Sequence, residues 1–252
     1  MIYVCAMTAA LRGLLNEHCR LYAFPAEPET PPAGGFVILD SGAYGLSMQG
    51  GRIDEKHMRN MAEHYKAHGA KDTGAAIGIA PDEYLNPSRT MKNWAWWVEQ
   101  GFGEVAPVIQ CGHVKKIDLY LIRKQCDFYA RFKPGFVAFS NPGLRGVEAK
   151  TRGISAVITM MRGYFPGAWI HNLGAGWDIK DVQAWREIGF DSIDSIAYYT
   201  AAQNGEAWAE DASNWTQRAI NNARHVNEVI NGSVCLAGRA GRLSSQNHGK
   251  TA

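Results

Sequence analysis

No stretch of this chain is apolar for long enough to cross a bilayer; the longest apolar runs are a handful of residues, such as Phe36 to Leu39. Its five cysteines (Cys5, Cys19, Cys111, Cys126, Cys235) are scattered, and no two stand in C-x-x-C spacing, so no zinc knuckle is written here. They read as reduced core thiols. Charge of one sign is not in excess: 26 basic against 24 acidic residues leaves +2, which names no partner. The 27 Gly and 10 Pro follow no repeating pattern, which excludes a fibrous protein, and 46% apolar with 11% aromatic residues excludes a disordered one. The opening Met1-Ile2-Tyr3-Val4-Cys5 has neither a basic n-region nor a small-residue cleavage site. A secretory leader is therefore not expected, and the expected compartment is the cytoplasm.

What is present is a recurrence. Short, mostly apolar runs of β type begin at Phe36, Ala75, Val105, Phe136, Ala168 and Ser192. Their lack of polar alternation predicts strands covered on both faces. The intervals carry helical spacing. Ile53 to His68 aligns Met58, Met61, Ala62 and Tyr65, and Ser88 to Gln100 aligns Met91, Trp94, Ala95 and Val98. Asp178 reads as the N-cap of a helix closed by Gly189, and Val147 to Tyr164 and Ser213 to Ile230 are helix-like. Strand then helix at a period near 30 predicts parallel βα units. Over 252 residues this predicts one domain, 1–252, folded as an α/β (β/α)8 TIM-type barrel. Ile2 to Met7 and Val234 to Ala237 are the candidate first and last strands, and an open doubly wound sheet is the alternative. Trp94, Trp97, Trp169 and Trp185 read as core. His171 reads as a barrel filler or as a site-lining group.

In such barrels the chemistry gathers where strands end at their C-termini. Three ends present a carboxylate: Asp40 after Phe36–Leu39, Asp82 after Ala80-Pro81, and Asp194 after Ile193. One presents Gln110, one Ser140, and one Leu173-Gly174-Ala175-Gly176. Anions crowded on one rim repel each other, an arrangement that chemistry or a ligand usually requires. Paired carboxylates without metal-ligand histidines suggest attack at an anomeric carbon, one as nucleophile and one managing the leaving group's proton. A divalent-metal site on the same acids is the competing reading, ranked second because the neighbours are Gln, Tyr and Gly.

These residues resemble a known family. Asp40-Ser41-Gly42-Ala43-Tyr44 is similar to the Asp-Ser-Gly-Gly-Tyr/Phe segment of the tRNA-guanine transglycosylase superfamily. Gln110-Cys111-Gly112 resembles its Gln-Gly-Gly, Leu173-Gly174-Ala175-Gly176 its Met-Gly-Val-Gly, and Asp191 to Ser195 its Asp-x-Phe-Asp-Cys. The resemblance spans Phe36 to Tyr199 in family order. It implies Asp194 as the nucleophile at the sugar C1′ and Asp40 as the general acid/base. It implies Tyr44 and Leu173 as the two faces of a sandwich around the base. Asp82, Gln110, Ser140 and Gly174 would line the purine edge. No cofactor and no metal are expected.

The chain departs from the tRNA enzymes by lacking their C-terminal zinc unit, since only Cys235 and His248 stand there, and by carrying Ile196-Ala197-Tyr198-Tyr199 after the nucleophile. It is also shorter. It looks closer to the compact transglycosylases that insert 7-deazaguanines into DNA in bacteriophages and bacterial DNA-modification islands. The implied activity is exchange of guanine in DNA for a 7-deazaguanine through a covalent Asp-glycosyl intermediate, in the host cytoplasm if phage-encoded. DNA ranks ahead of tRNA as the polymer, and a homodimer or a helper protein that opens DNA is left open. Basic stretches from Lys115 to Lys133 and from Arg218 to Lys250 are the candidate phosphate contacts. A nucleoside or glycoside hydrolase and a catalytically silent nucleic-acid-binding barrel are the other two classes.

Overall fold

The computed structural model describes residues 1–113, 117–141, 143–175, 181–208 and 212–231. Eight parallel strands form it: β1 (Ile2–Ala6), β2 (Cys19–Ala23), β3 (Val37–Asp40), β4 (Ala76–Gly78), β5 (Val108–Gln110), β6 (Phe136–Ser140), β7 (Trp169–Leu173) and β8 (Ser192–Ser195). They run in the order β4-β3-β2-β1-β8-β7-β6-β5. The two ends of that order meet through a parallel bridge between Ile79 and Ala106, where the Ala106 N–H donates to Gly78 O at 2.7 Å and the Ala80 N–H to Ala106 O at 2.8 Å. The sheet therefore closes into a barrel, and the open doubly wound alternative is set aside.

The closure corrects the sequence reading at one strand. Val234 to Ala237 lies outside the described residues, and the eighth place in the barrel is taken by β2. The pattern concealed β2 because Arg20 interrupts its apolar run. Arg20 is fully buried, and its guanidinium ends are paired, donating to Asn16 Oδ1 at 2.7 Å and to Thr30 O, with Glu29 Oε2 at 3.5 Å, while its Nε has no partner among the described residues. β1 leads to β2 through one 3₁₀ turn (Ala9–Leu11), and β2 leads to β3 through a proline-rich loop, so neither carries a full crossover helix.

The later units are regular: α1 (Ala43–Met48), α2 (Glu55–Ala67), α3 (Pro87–Glu99), α4 (Leu119–Tyr129), α5 (Gly146–Thr151), α6 (Ile154–Tyr164), α7 (Val182–Ile188), α8 (Ala197–Gln203) and α9 (Trp215–Asn231). Side-chain caps start four of them: Asp54 on α2, Asn86 on α3, Asp118 on α4 and Asn214 on α9 each accept a backbone N–H of the first turn. The single helix expected over Val147 to Tyr164 is two, because Gly153 takes a left-handed φ of 83° between α5 and α6. The cap expected at Asp178 lies outside the described residues; Asp181 directly precedes α7.

Alternate strand residues separate two cores. Ile2, Val4, Leu21, Phe36, Ile38, Ile77, Val108, Phe136, Ala138 and Trp169 fill the barrel. Tyr3, Val37, Leu39, Ile109, Val137, Phe139 and Ile170 face the helices, where Met58, Met61, Trp97 and Trp185 meet them. The four tryptophans read as core are buried as expected. Tyr65 of α2 lies against β3 and β4, its hydroxyl 2.8 Å from Leu39 O and 2.9 Å from Ile79 O. Gly78 makes room for it, since a Cβ there would fall 2.8 Å from the Tyr65 ring. Tyr65→Phe should keep the packing and lose this tie, lowering unfolding stability by about 1–2 kcal/mol. A urea midpoint equal to that of the wild type would refute the tie's contribution.

Candidate active site at the barrel mouth

The register sets the floor of the mouth. Gln110 of β5 pairs with Ser140 of β6, and Ser140 with Leu173 of β7. Asn172 pairs with Ile193, which brings Leu173 level with Asp194 on β8. Asp194 is also paired with Val4 of β1, and Asp40 ends β3 beside Ala23 of β2. Asp40, Gln110, Ser140, Leu173 and Asp194 thus belong to the inward-facing series of their strands. Asp82 joins them from the turn after β4.

Asp194 is 5% exposed, and its bonds distinguish its two oxygens. Oδ1 accepts the Gly174 N–H at 2.9 Å and lies 3.1 Å from His171 Nε2. On its other side His171 Nδ1 is 2.8 Å from Ser192 Oγ, which accepts the Trp169 indole N–H at 2.7 Å. An indole can only donate, so the single Ser192 hydroxyl proton is free to go to His171 Nδ1. A neutral His171 then carries its proton on Nε2 and donates it to Asp194. Oδ1 is held twice, while Oδ2 has no bond among the described residues. His171, a filler or a lining group by its pattern, is both: it fills the barrel and orients the carboxylate above it.

Asp40 and Asp82 are coupled through Ser41. The Ser41 hydroxyl donates to Asp82 Oδ1 at 2.6 Å, and Gln110 Nε2 donates to Asp82 Oδ2 and to Glu83 O, each at 3.0 Å. Gln125 clamps the Gln110 backbone from both sides, at 2.9 Å and 2.8 Å. With Nε2 committed, the buried Gln110 Oε1 is left without a hydrogen-bond partner, an acceptor awaiting a donor. The Gly42 N–H donates to Asp40 Oδ2 at 3.0 Å. Gly42 has φ 76°, and a Cβ would stand 2.8 Å from Phe24 O, so this cradle admits only glycine.

Burial pushes the Asp40 carboxyl up to about 7, with the Asp82 and Asp194 charges adding to it and the Gly42 N–H opposing. Burial raises Asp82 to about 6 against the opposing bonds from Ser41 and Gln110. Carboxyls in this range exchange protons near neutrality, as a general acid/base must.

Sequence reasoning brought Asp40, Asp82, Gln110, Ser140, Leu173, Gly174 and Asp194 to one mouth, and the structure assembles them there. Tyr44 is placed differently. It sits on the first turn of α1, 60% exposed and edge-on to Tyr84 at 5.2 Å, on the rim. Other exposed apolar groups follow strand ends nearby: Tyr120 before the second turn of α4, Val147 at α5 and Ile196 after β8. Ser41 and Gln125 were missed, the first because it reads as turn filler and the second because it lies on a helix. Trp177, expected near this rim, lies outside the described residues, and Trp208 is partly buried, its backbone N–H bonded to Asn222 Oδ1.

Three cations of the basic stretches, Arg131, Lys133 and Arg224, are placed away from the mouth. α4 runs back from the mouth, so Arg131 and Lys133, just before β6 begins, are at the opposite face; Arg131 stacks on Phe128 and Phe132. Arg224 of α9 pairs with Glu17, which precedes β2, also at that face. Lys115, Lys116, Arg239, Arg242 and Lys250 lie outside the described residues. Exposed cations that do follow strand ends include Arg52, Arg89 and Lys92.

No protein-family model matches the chain, and no curated protein matches it. Among solved structures, orotidine 5'-monophosphate decarboxylase from Sulfolobus solfataricus superposes with a TM-score of 0.52 at 12% identity, over 92% of this chain and 98% of that one. The YdjI aldolase from Escherichia coli K12 gives a TM-score of 0.39 at 12% identity, over 96% and 93%. The chain is a (β/α)8 TIM-type barrel. At such identity the likeness bears on the fold alone. No helix among the described residues is long and apolar enough to cross a membrane.

A carboxyl whose pKa rises on folding binds its proton more tightly in the native state, so its contribution favours the fold at acid pH. For Asp40 that contribution is present below about pH 4 and is lost as pH rises through about 7. Asp40→Asn should therefore be more stable than the wild type at pH 8, by on the order of 2 kcal/mol, and nearly equal at pH 4. Chemical denaturation at both pH values measures it; equal destabilisation at both would contradict a raised Asp40.

Proposed function

We propose that this barrel is a base-exchange transglycosylase of the tRNA-guanine transglycosylase type, acting on guanine in DNA and inserting a 7-deazaguanine. The observation that carries this reading is the division of labour between carboxyls: Asp194 keeps one oxygen fixed and one free, while Asp40 titrates near neutrality. In the proposed first step Asp194 Oδ2 attacks the sugar C1′. The bond from C1′ to guanine breaks with its electron pair going to the base, which takes the Asp40 proton. In the second step the incoming 7-deazaguanine gives its ring N–H proton to Asp40 and attacks C1′, and Asp194 leaves. Two displacements at one carbon retain the anomeric configuration.

The remaining mouth residues fit recognition of a planar base. Gln110 Oε1 and the second lone pairs of the Asp82 oxygens supply acceptors for base N–H groups. Leu173 supplies an apolar wall, and Ser140 and Gly174 add backbone polar groups beside it. Tyr44, exposed on the rim, is a ring on which a base can stack as it enters. A base inside a duplex must be flipped to reach the floor. Arg52, Arg89 and Lys92 are the phosphate contacts this reading favours over Arg131, Lys133 and Arg224 on the far face.

Incubation with labelled guanine or a labelled 7-deazaguanine, with DNA and tRNA in separate tubes, tests the assignment. Label should enter DNA, and Asp194→Asn should abolish both incorporation and any trapped covalent adduct. Label in tRNA alone would move the substrate to RNA, free base released from nucleosides would mark a hydrolase, and full activity in Asp194→Asn would sink the mechanism.

DNA binding should weaken steeply with salt, and Arg52→Ala, Arg89→Ala and Lys92→Ala should flatten the slope of log K against log salt by up to about 1 each. A salt response unchanged in all three variants would remove these residues from the interface.

A further inference from the structure

Outside the mouth, Glu27, His64 and His68 bring three ligand atoms within 4.8 Å of one another. The two histidines lie four residues apart at the C-terminal end of α2, so both rings project from one face. Glu27 comes from the proline-rich loop between β2 and β3, where Arg12 Nη2 holds its carbonyl at 2.7 Å. Each of its carboxylate oxygens addresses one ring: Oε1 is 3.7 Å from His64 Nδ1 and Oε2 is 2.9 Å from His68 Nε2. The His64 side chain is only 10% exposed, its Nε2 is buried without a partner, and its Nδ1 faces Glu27; the ring also bonds the backbone of Ala26.

We propose that Glu27, His64 and His68 bind one divalent transition-metal ion of the zinc type, with water in the fourth position, and that the ion clamps the proline-rich loop to α2. Two imidazoles and one carboxylate suit zinc, cobalt or nickel far better than magnesium or calcium, which take oxygen ligands. Bonds of about 2.0–2.2 Å at tetrahedral angles set ligand atoms about 3.4 Å apart. The ligand atoms, within 4.8 Å of one another, must draw in to that spacing, and the exposed Glu27 side chain can move to meet it.

The clamp would act on the wall behind Asp40. Phe24, three residues before Glu27, packs its ring edge-on against His57 at 5.0 Å and His64 at 5.4 Å. Its N–H donates to Asp40 O at 2.9 Å, and its carbonyl lies under Gly42. His57 Nε2 in turn sits 3.1 Å from Ser41 O. Fixing the loop to α2 therefore fixes the backbone of Asp40 to Gly42, whatever reaction the mouth performs.

Titration of the chelator-treated full chain with Co²⁺ and Zn²⁺ tests the site, by visible absorption for cobalt and by melting temperature for zinc. The wild type should bind one equivalent, with cobalt bands of a four-coordinate nitrogen–oxygen site, and melt higher with zinc. Glu27→Gln, at the exposed ligand, and His68→Ala, at a partly buried one, should each lose at least about 10-fold in affinity and lose the zinc-dependent melting shift. His225→Ala, a control elsewhere on the surface, should bind as the wild type does. No stoichiometric binding by the wild type, or equal binding by Glu27→Gln and His68→Ala, would overturn the proposal.

Discussion

Three carboxyl groups, Asp40, Asp82 and Asp194, share one barrel mouth with low-dielectric walls, and their mutual repulsion is the constraint to which the surrounding structure answers. Each is managed by a different device. Asp194 is held by a backbone N–H and by a histidine whose tautomer is set from below. Asp82 accepts from Ser41 and Gln110. Asp40 has one backbone donor and is raised furthest, to about 7. Burial, with the neighbouring charges adding to it and only backbone donation opposing, makes it the group that carries a proton near neutral pH.

These devices reach outward through the wall. Ser41 is tied to α2 through its carbonyl and His57, and Asp40 to the proline-rich loop through Phe24. Gln110 is held by Gln125 of α4. Helices on the outer face thus set groups on the inner one, with the strand backbone as the lever arm. That connection is why a metal clamp on the outside of the barrel would bear on the mouth.

The floor of the mouth was legible in the chain because the residue that ends an apolar strand in a βα unit is placed by topology. Asp40, Gln110, Ser140, Leu173 and Asp194 each close such a run, and the parallel register brings the last four level across β5 to β8. Resemblance to a transglycosylase family added roles to these positions. β2 was hidden because a buried arginine breaks its pattern, and its partners Asn16, Glu29 and Thr30 come from both flanking loops. The places of Arg131, Lys133 and Arg224 were not legible, because clustering in sequence does not say at which end of a helix a charge lies.

The amino-acid sequence by itself determined the barrel, its period and the strand ends that meet at the mouth, since apolar periodicity is a local property that burial obeys. Only the tertiary structure decided which oxygen of Asp194 is free, which way the Gln110 amide points and that Asp40 titrates near neutrality. The same holds for the meeting of Glu27 with His64 and His68. Hydrogen-bond direction, desolvation and the convergence of ligands depend on what lies across space, and residues far apart in the chain supply it.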